Sequence, residues 1–218
     1  MSLFVTATDT GAGKTFVSAL LIRTLRRRGI DAVGMKPLCC GDRDDAEILH
    51  AASDGVVSLN AINPVWLRAP VAPYTASLIE NRAIDLDLIR ESYAALRKAH
   101  RVVIVEGVGG WLVPITADYF IRDLAREFAL PALVVSGNRL GALNHTLLTL
   151  ESIRTAQVPC AGLILNEIAP RDPSDLAVST NQAVLEAVSQ VPFCIEIVHG
   201  QSEFDLPRSL EEMLIRQT

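Results

Sequence analysis

Nine residues near the start of the chain, Ala7-Thr8-Asp9-Thr10-Gly11-Ala12-Gly13-Lys14-Thr15, combine the residue types that hold a polyphosphate. Glycines at 11 and 13 let backbone N–H groups approach phosphate oxygens, and a helix N-terminus behind them adds donors and the positive end of its dipole. Lys14 can neutralise the β and γ phosphates, and the Thr15 hydroxyl can join the shell of a Mg²⁺ ion. The strict phosphate-loop pattern Gly-x-x-x-x-Gly-Lys-Ser/Thr is not met, because Thr8 stands where its first glycine belongs. The alternative is a plain glycine turn into a helix. A strand-like Leu3-Phe4-Val5 before the loop and an amphipathic segment after it favour the phosphate reading.

Further along stand residues that could complete such a site. Lys36 precedes Pro37 at the end of a short apolar run, and is either an ordinary exposed lysine or a cation held over the sheet edge. Gly41-Asp42-Arg43-Asp44-Asp45 offers three carboxylates, each of which could cap a helix, stay solvated or bind metal. Glu106 emerges directly from Val102-Val103-Ile104-Val105, where a carboxylate can complete Mg²⁺ coordination beside a nucleotide. Gly107, Gly109 and Gly110 leave room beside it, and Trp111 either flanks a ligand or packs. Gly141-Ala142-Leu143-Asn144 opens a helix whose free N-terminus suits a carboxylate. Asn166 follows the run Gly162–Leu165; its amide supplies a donor and an acceptor, which an adenine edge requires. His50, His100, His145 and His199 show no metal-ligand spacing.

The elements that must position these residues alternate between apolar runs and helix-period segments. Strands are expected at 3–5, 32–36, 101–106, 132–136, 161–165 and 193–198, and helices at 14–28, 44–53, 118–128, 142–156, 174–190 and 208–216. Asp85 is placed to cap a further helix with Leu86, Ile89, Tyr93 and Leu96 along one face. Residues 54–80, with Pro64, Pro70 and Pro73, read as an irregular excursion. The alternation predicts βαβ units: a mostly parallel sheet with helices on both faces, in one domain over 1–218. Ligands on such sheets bind beyond the carboxyl ends of the strands, where the residues above fall.

Composition agrees. The 218 residues are 50% hydrophobic but only 5% aromatic, which suits helices packed on a parallel sheet and excludes global disorder. A net charge of -5 argues against a nucleic-acid partner held through phosphates. Arg26-Arg27-Arg28 before Gly29 reads as favourable charge at a helix C-terminus. The four cysteines, Cys39, Cys40, Cys160 and Cys194, show neither a disulfide framework nor zinc spacing, so a cytoplasmic location is expected. No secretory leader and no membrane span are expected.

The segment Val5–Thr15 resembles the variant phosphate loop of the dethiobiotin synthetases, usually GTDTxxGKT, with Ala7 in place of a glycine. Further matches follow in order: Lys36-Pro37 with Gly41, Asp45-Ala46, Val105-Glu106-Gly107-Val108-Gly109-Gly110, Leu140-Gly141 with Asn144-His145, and Asn166. They cover about residues 3–168 and fade beyond. The resemblance implies a P-loop NTPase-like fold and ATP-dependent ring closure of 7,8-diaminononanoate with CO₂, giving dethiobiotin, ADP and phosphate. It implies catalytic roles for Lys14, Lys36 and Thr10, and a Mg²⁺ ion on Thr15, Asp45 and Glu106, with Asp44 a rival to Asp45. The nucleotide would lie on Gly11, Ala12, Gly13, Lys14, Thr15, Phe16, Asp45, Glu106, Gly107, Val108, Gly109, Asn166 and Glu167. Val198 replaces a proline at the family's second base contact. Gly141, Ala142, Leu143 and Asn144 would hold the substrate carboxylate of a neighbouring subunit in a homodimer. Cys40 occupies a position where the family has a serine or threonine facing the substrate; near two lysines its thiol is expected to gain thiolate character.

Two rival readings share the loop. A switch ATPase of the chromosome-partitioning type has an early second lysine where Asp9 stands here. An amide-forming synthetase of the cobyrinate diamide synthase type needs a glutamine-hydrolysing domain, for which 218 residues leave no space.

Overall fold

The computed structural model describes residues 2–172 and 174–215. Strands β1 (Ser2–Ala7), β5 (Val102–Glu106) and β6 (Ala132–Gly137) are buried along their whole lengths. Apolar side chains on both faces of a strand are satisfied only at the centre of a sheet covered on both sides. Each fully buried valine or isoleucine of β5 contributes roughly 1.5–3 kcal/mol relative to exposure. These strands form the middle of a six-stranded sheet of order β2-β5-β1-β6-β7-β8, with β2 (Ala32–Met35), β7 (Cys160–Asn166) and β8 (Cys194–Ile197). Every pairing is parallel.

The order fixes where the helices go. The chain leaves β1 towards β2 through α1 (Lys14–Arg27), then returns in the opposite direction through α5 (Leu86–Ala99) to β5. It continues that way through α6 (Ile121–Glu127), α7 (Ala142–Thr155) and α8 (Leu176–Val188). With right-handed crossovers, a reversal of direction sends the connecting helices to the opposite face, so both faces are covered.

Local chemistry sets the ends of these helices. Asp85 caps α5 by accepting from the Leu88 N–H at 2.9 Å, and Ile89, Tyr93 and Leu96 bury the expected face. At the end of α1, Gly29 has φ 74° and donates to Arg26 O at 2.9 Å, while Ile30 donates to Leu25 O at 3.1 Å. That double bond is a Schellman stop. Of the basic run, Arg26 pairs with Asp54 at 2.6 Å and Arg28 with Glu211 at 3.2 Å, so both charges are already used.

Two expectations need correction. The 54–80 excursion is not irregular: it holds α3 (Leu59–Ile62), β4 (Val65–Leu67) and α4 (Pro73–Ile79). β4 pairs in parallel with β3 (Leu38–Cys40) as a separate two-stranded sheet. Asn63 ties it down, donating to Lys36 O and Val65 O at 2.9 Å each. Strands of three residues are too short to show a period, and Pro73 opens a helix because its missing N–H is not needed there. The helix expected from 118 begins at Ile121, because Ile115 and Thr116 both donate to Tyr119 O in a turn. Helix α2 (Asp44–Ala52) follows the acidic run as expected. The last helix, α9, runs Arg208–Ile215; the expected Arg216 lies outside the described residues.

Candidate active site

Parallel register builds the centre of the site. β2 and β5 are paired up to Met35↔Val105, so the next step along both strands brings Lys36 beside Glu106. Lys36 Nζ lies 2.6 Å from Glu106 Oε1 and 2.6 Å from Asp45 Oδ2, and 3.4 Å from Gly107 O. Lys36 is 2% exposed and Glu106 0%. Burial opposes the lysine's charge, but Glu106 and Asp45 outweigh it and hold the ammonium protonated far above the ordinary range. Burial likewise works against ionising Asp45, and Lys36 and Thr15 more than compensate, keeping it a carboxylate below its usual pKa.

The glycine loop wraps over this pair. Gly11 and Gly13 have φ of 78° and 86°, in the left-handed region. A side chain at Gly13 would place its Cβ 2.1 Å from Asn166 Nδ2, so only glycine fits there. Lys14 is buried under the loop. Burial and the Lys36 charge lower its pKa to about 8. A lysine held this way gains strongly from an arriving polyphosphate, which supplies the missing counter-charge.

Thr15 Oγ1 lies 2.7 Å from Asp45 Oδ1 and 2.7 Å from Glu106 Oε1. One hydroxyl proton can serve only one of them at a time. Glu106 Oε2 is buried without a partner. Among the described residues no group of three or more His, Cys, Asp or Glu is disposed to hold a metal. The donor set here is two carboxylates and a hydroxyl, all hard oxygens, which fits a Mg²⁺ ion that keeps its remaining positions for water and phosphate. Asp45 turns inward, whereas Asp44 is exposed and makes no contact with Lys36 or Thr15.

A cavity of about 580 Å³ opens over these groups. It gathers Thr10, Gly11, Gly13, Lys14, Thr15, Lys36, Cys40, Asp45, Val108 and Gly109. Glu106 and Gly107 do not line it; they lie behind Lys36, which they contact. Cys40 faces the cavity while Cys39 is buried in the core. The expected thiolate character of Cys40 is not found: burial, with Glu80 nearby, pushes its thiol up to about 11 despite Lys36. The wall Pro70-Val71-Ala72-Pro73 and Val113 went unread in the sequence. The pair Pro70 and Pro73, two prolines bracketing a helix start, was the available signal.

Other expected residues lie apart from the cavity. Ala12 is buried and Phe16 exposed on α1. Asn166 Nδ2 donates to Ala12 O at 3.0 Å, and its Oδ1 is buried without a partner. That amide is therefore committed as a donor and open as an acceptor. The Glu167 side chain is engaged by Arg171 and lies near the His199 N–H, and Val198 is exposed. Gly141, Ala142, Leu143 and Asn144 do not line the cavity; they start α7, behind an 85% exposed Leu140. Trp111 is buried packing, and its indole N–H has no partner. No helix among the described residues is long and apolar enough to cross a membrane.

A family model described as AAA domain matches residues 1–198. The ATP-dependent dethiobiotin synthetase BioD of Akkermansia muciniphila is 44% identical over 212 residues, covering 97% of this chain and 99% of that protein. The likeness thus continues well past Asn166, where the motifs faded. Among solved structures, chloroplast FtsY from Physcomitrella patens is 15% identical with a TM-score of 0.53, covering 98% of this chain, which spans 64% of that one. A ParA family ATPase from Chlorobium tepidum is 12% identical with a TM-score of 0.52, covering 91% of this chain and 85% of its own. At such identities these structures speak for the P-loop NTPase fold alone. Identity close to half over nearly the full length, on a phosphate loop backed by a buried Lys36–Glu106 pair, means that the chain belongs to the dethiobiotin synthetase family.

Proposed function

We infer that this chain, as a single domain, is an ATP-dependent cyclo-ligase that closes the ureido ring of dethiobiotin from 7,8-diaminononanoate and CO₂, releasing ADP and phosphate. The observation that carries this reading is the convergence of Lys14 and Lys36 on one cavity, with the two carboxylates that neutralise Lys36 set beneath it. One substrate amine takes up CO₂ and loses a proton, giving a carbamate. A carbamate oxygen attacks the γ-phosphorus as the bond to ADP breaks. The second amine then attacks the carbamoyl carbon, and phosphate leaves. Phosphoryl transfer of this kind needs positioning and charge stabilisation rather than a side-chain nucleophile.

In this reading Lys14 holds the γ-phosphate and Lys36 the carbamate, with Thr10 at the cavity mouth. Thr15, Asp45 and Glu106 would hold Mg²⁺, which when bound neutralises charge on the phosphates. Lys36 has every N–H engaged by Asp45, Glu106 and Gly107 O, so it meets substrate only by exchanging a partner. Cys40 forms part of the substrate wall. The base would lie beside Asn166 and Val198. The unpartnered Asn166 Oδ1 suits an exocyclic amino group such as that of adenine. The chain would work as a homodimer, with Gly141–Asn144 serving the second copy's cavity. Their distance from this chain's own cavity and the exposed Leu112, Leu140 and Leu148 support that. No nucleic acid is expected as partner, and a cytoplasmic location fits the free cysteines.

The test is ADP release with and without the diamine and bicarbonate. Release that requires both supports the ligase; release indifferent to the diamine overturns it.

A further inference from the structure

The ends of β6, β7 and β8 carry a second polar network, separate from the Lys36 cluster. Arg171, on the segment after β7, forms ion pairs with Glu167, at the end of β7, and with Glu196 of β8. Glu196 Oε1 also accepts from Asn138 Nδ2 at 2.6 Å, on the segment after β6. Asn138 Oδ1 accepts from Asn181 Nδ2 of α8 at 2.8 Å. The second oxygen of Glu167 lies 3.4 Å from the His199 backbone N–H, one residue past Val198. The guanidinium therefore joins the ends of β7 and β8, and Asn138 ties the end of β6 to the same Glu196.

Charge makes the link more than incidental. Glu167 is 5% exposed, and Arg171 is the only cation paired with either carboxylate among the described residues. Without it, two like charges face each other across β7 and β8, and one of them is buried. Their repulsion would act on the segments that carry Asn166 and Val198, since Leu165↔Glu196 and Asn166↔Ile197 are paired neighbours. The guanidinium itself is more than a third exposed, so water screens the pair from that side, but its removal leaves the buried Glu167 without its cation.

We propose that Arg171 is a positioning residue for the base half of the nucleotide site: by bridging Glu167 and Glu196 it fixes the strand ends that meet the nucleoside, and it touches neither phosphates nor reacting atoms. This rests on the reading that the base binds beside Asn166. Calorimetric titration of the purified enzyme with ATP and with inorganic triphosphate, with thermal melts alongside, tests it. Arg171→Ala is expected to weaken ATP about tenfold, equivalent to about 1.4 kcal/mol of binding, while leaving triphosphate affinity unchanged; the melting point is expected to fall because Glu167 loses its cation, so the titrations are run well below it. Arg171→Lys is expected to recover only part of the loss, because an ammonium keeps the charge but not the fork by which Nε and Nη2 hold Glu167 while Nη2 meets Glu196. Equal weakening of ATP and triphosphate, or no weakening, overturns the proposal. Asn166→Ala separates this failure from that of the underlying reading: if it also leaves ATP affinity unchanged, the base binds elsewhere.

Discussion

The two ends of this site are built on different principles. At the phosphoryl end, β1, β2 and β5 bring Lys14, Lys36, Asp45 and Glu106 together under a glycine loop, and Lys36 and Glu106 are almost wholly buried. At the end proposed for the base, β6, β7 and β8 meet through Asn138, Glu167, Arg171 and Glu196, whose cation stays partly in water. In the buried cluster each charge depends on its partner, because an uncompensated charge there costs about 3–5 kcal/mol. In the second network Glu167 is buried as well, but its cation is partly in water, which screens the pair. The phosphoryl end should therefore tolerate almost no change of charge, while the base end should trade affinity gradually.

The largest contrast comes from Lys14→Ala, which should lower turnover by roughly 10³-fold or more, since it removes fixed positive charge at the transferred group. Circular dichroism should stay unchanged. Near-normal turnover in that folded variant would break the assignment of the phosphoryl end.

Glu106→Gln keeps shape and removes charge. The Mg²⁺ concentration for half activity should rise about 10–100-fold, with partial recovery at high Mg²⁺. Asn166→Ala should leave that titration where it was. If both variants shift it, the two ends are not separate; if neither does, Asp45 becomes the residue to test.

A smaller effect concerns pH. In the free enzyme Lys14 loses its proton above about pH 8, because burial and Lys36 disfavour its charge. kcat/KM for ATP should then fall about tenfold per pH unit beyond that point, as only the charged form greets the phosphates. kcat should not fall there, because bound phosphates restore the proton. A kcat profile bending at the same pH would place the titration on another group.

The smallest effect is expected from Cys40→Ser: turnover within about threefold of the parent, as a hydroxyl lines the same wall and donates better than a thiol. With the thiol held at about 11, roughly one part in 10³ is thiolate at pH 8, so iodoacetamide should inactivate the parent slowly. Rapid inactivation that Cys40→Ser abolishes would show a more reactive wall than burial allows.

Legibility followed locality. The loop from Gly11 to Thr15 could be read because strand, glycine turn and helix are contiguous. Glu106 could be read because an acid closing an apolar run has few other uses. The choice of Asp45 over Asp44 could not, since adjacent residues on a helix start differ only in which way they face. Arg171 gave no signal either: an arginine in a polar, proline-flanked segment is ordinary until Glu196 is placed beside Glu167. The wall from Pro70 to Pro73 was hidden by strands of three residues and a four-residue helix, each shorter than the period that would reveal it.

By itself the sequence determined the alternation of strand and helix, the parallel sheet that follows from it, and the phosphate loop, because each depends on neighbours within about one turn or one strand. Only the tertiary structure decided the strand order β2-β5-β1-β6-β7-β8, and with it which charges meet. Lys36 and Glu106 are 70 positions apart, and Thr15 and Glu106 are 91 apart. No local rule pairs residues at such separations. Their meeting is set by which strands lie side by side and in what register, and burial of both sheet faces holds that register in place.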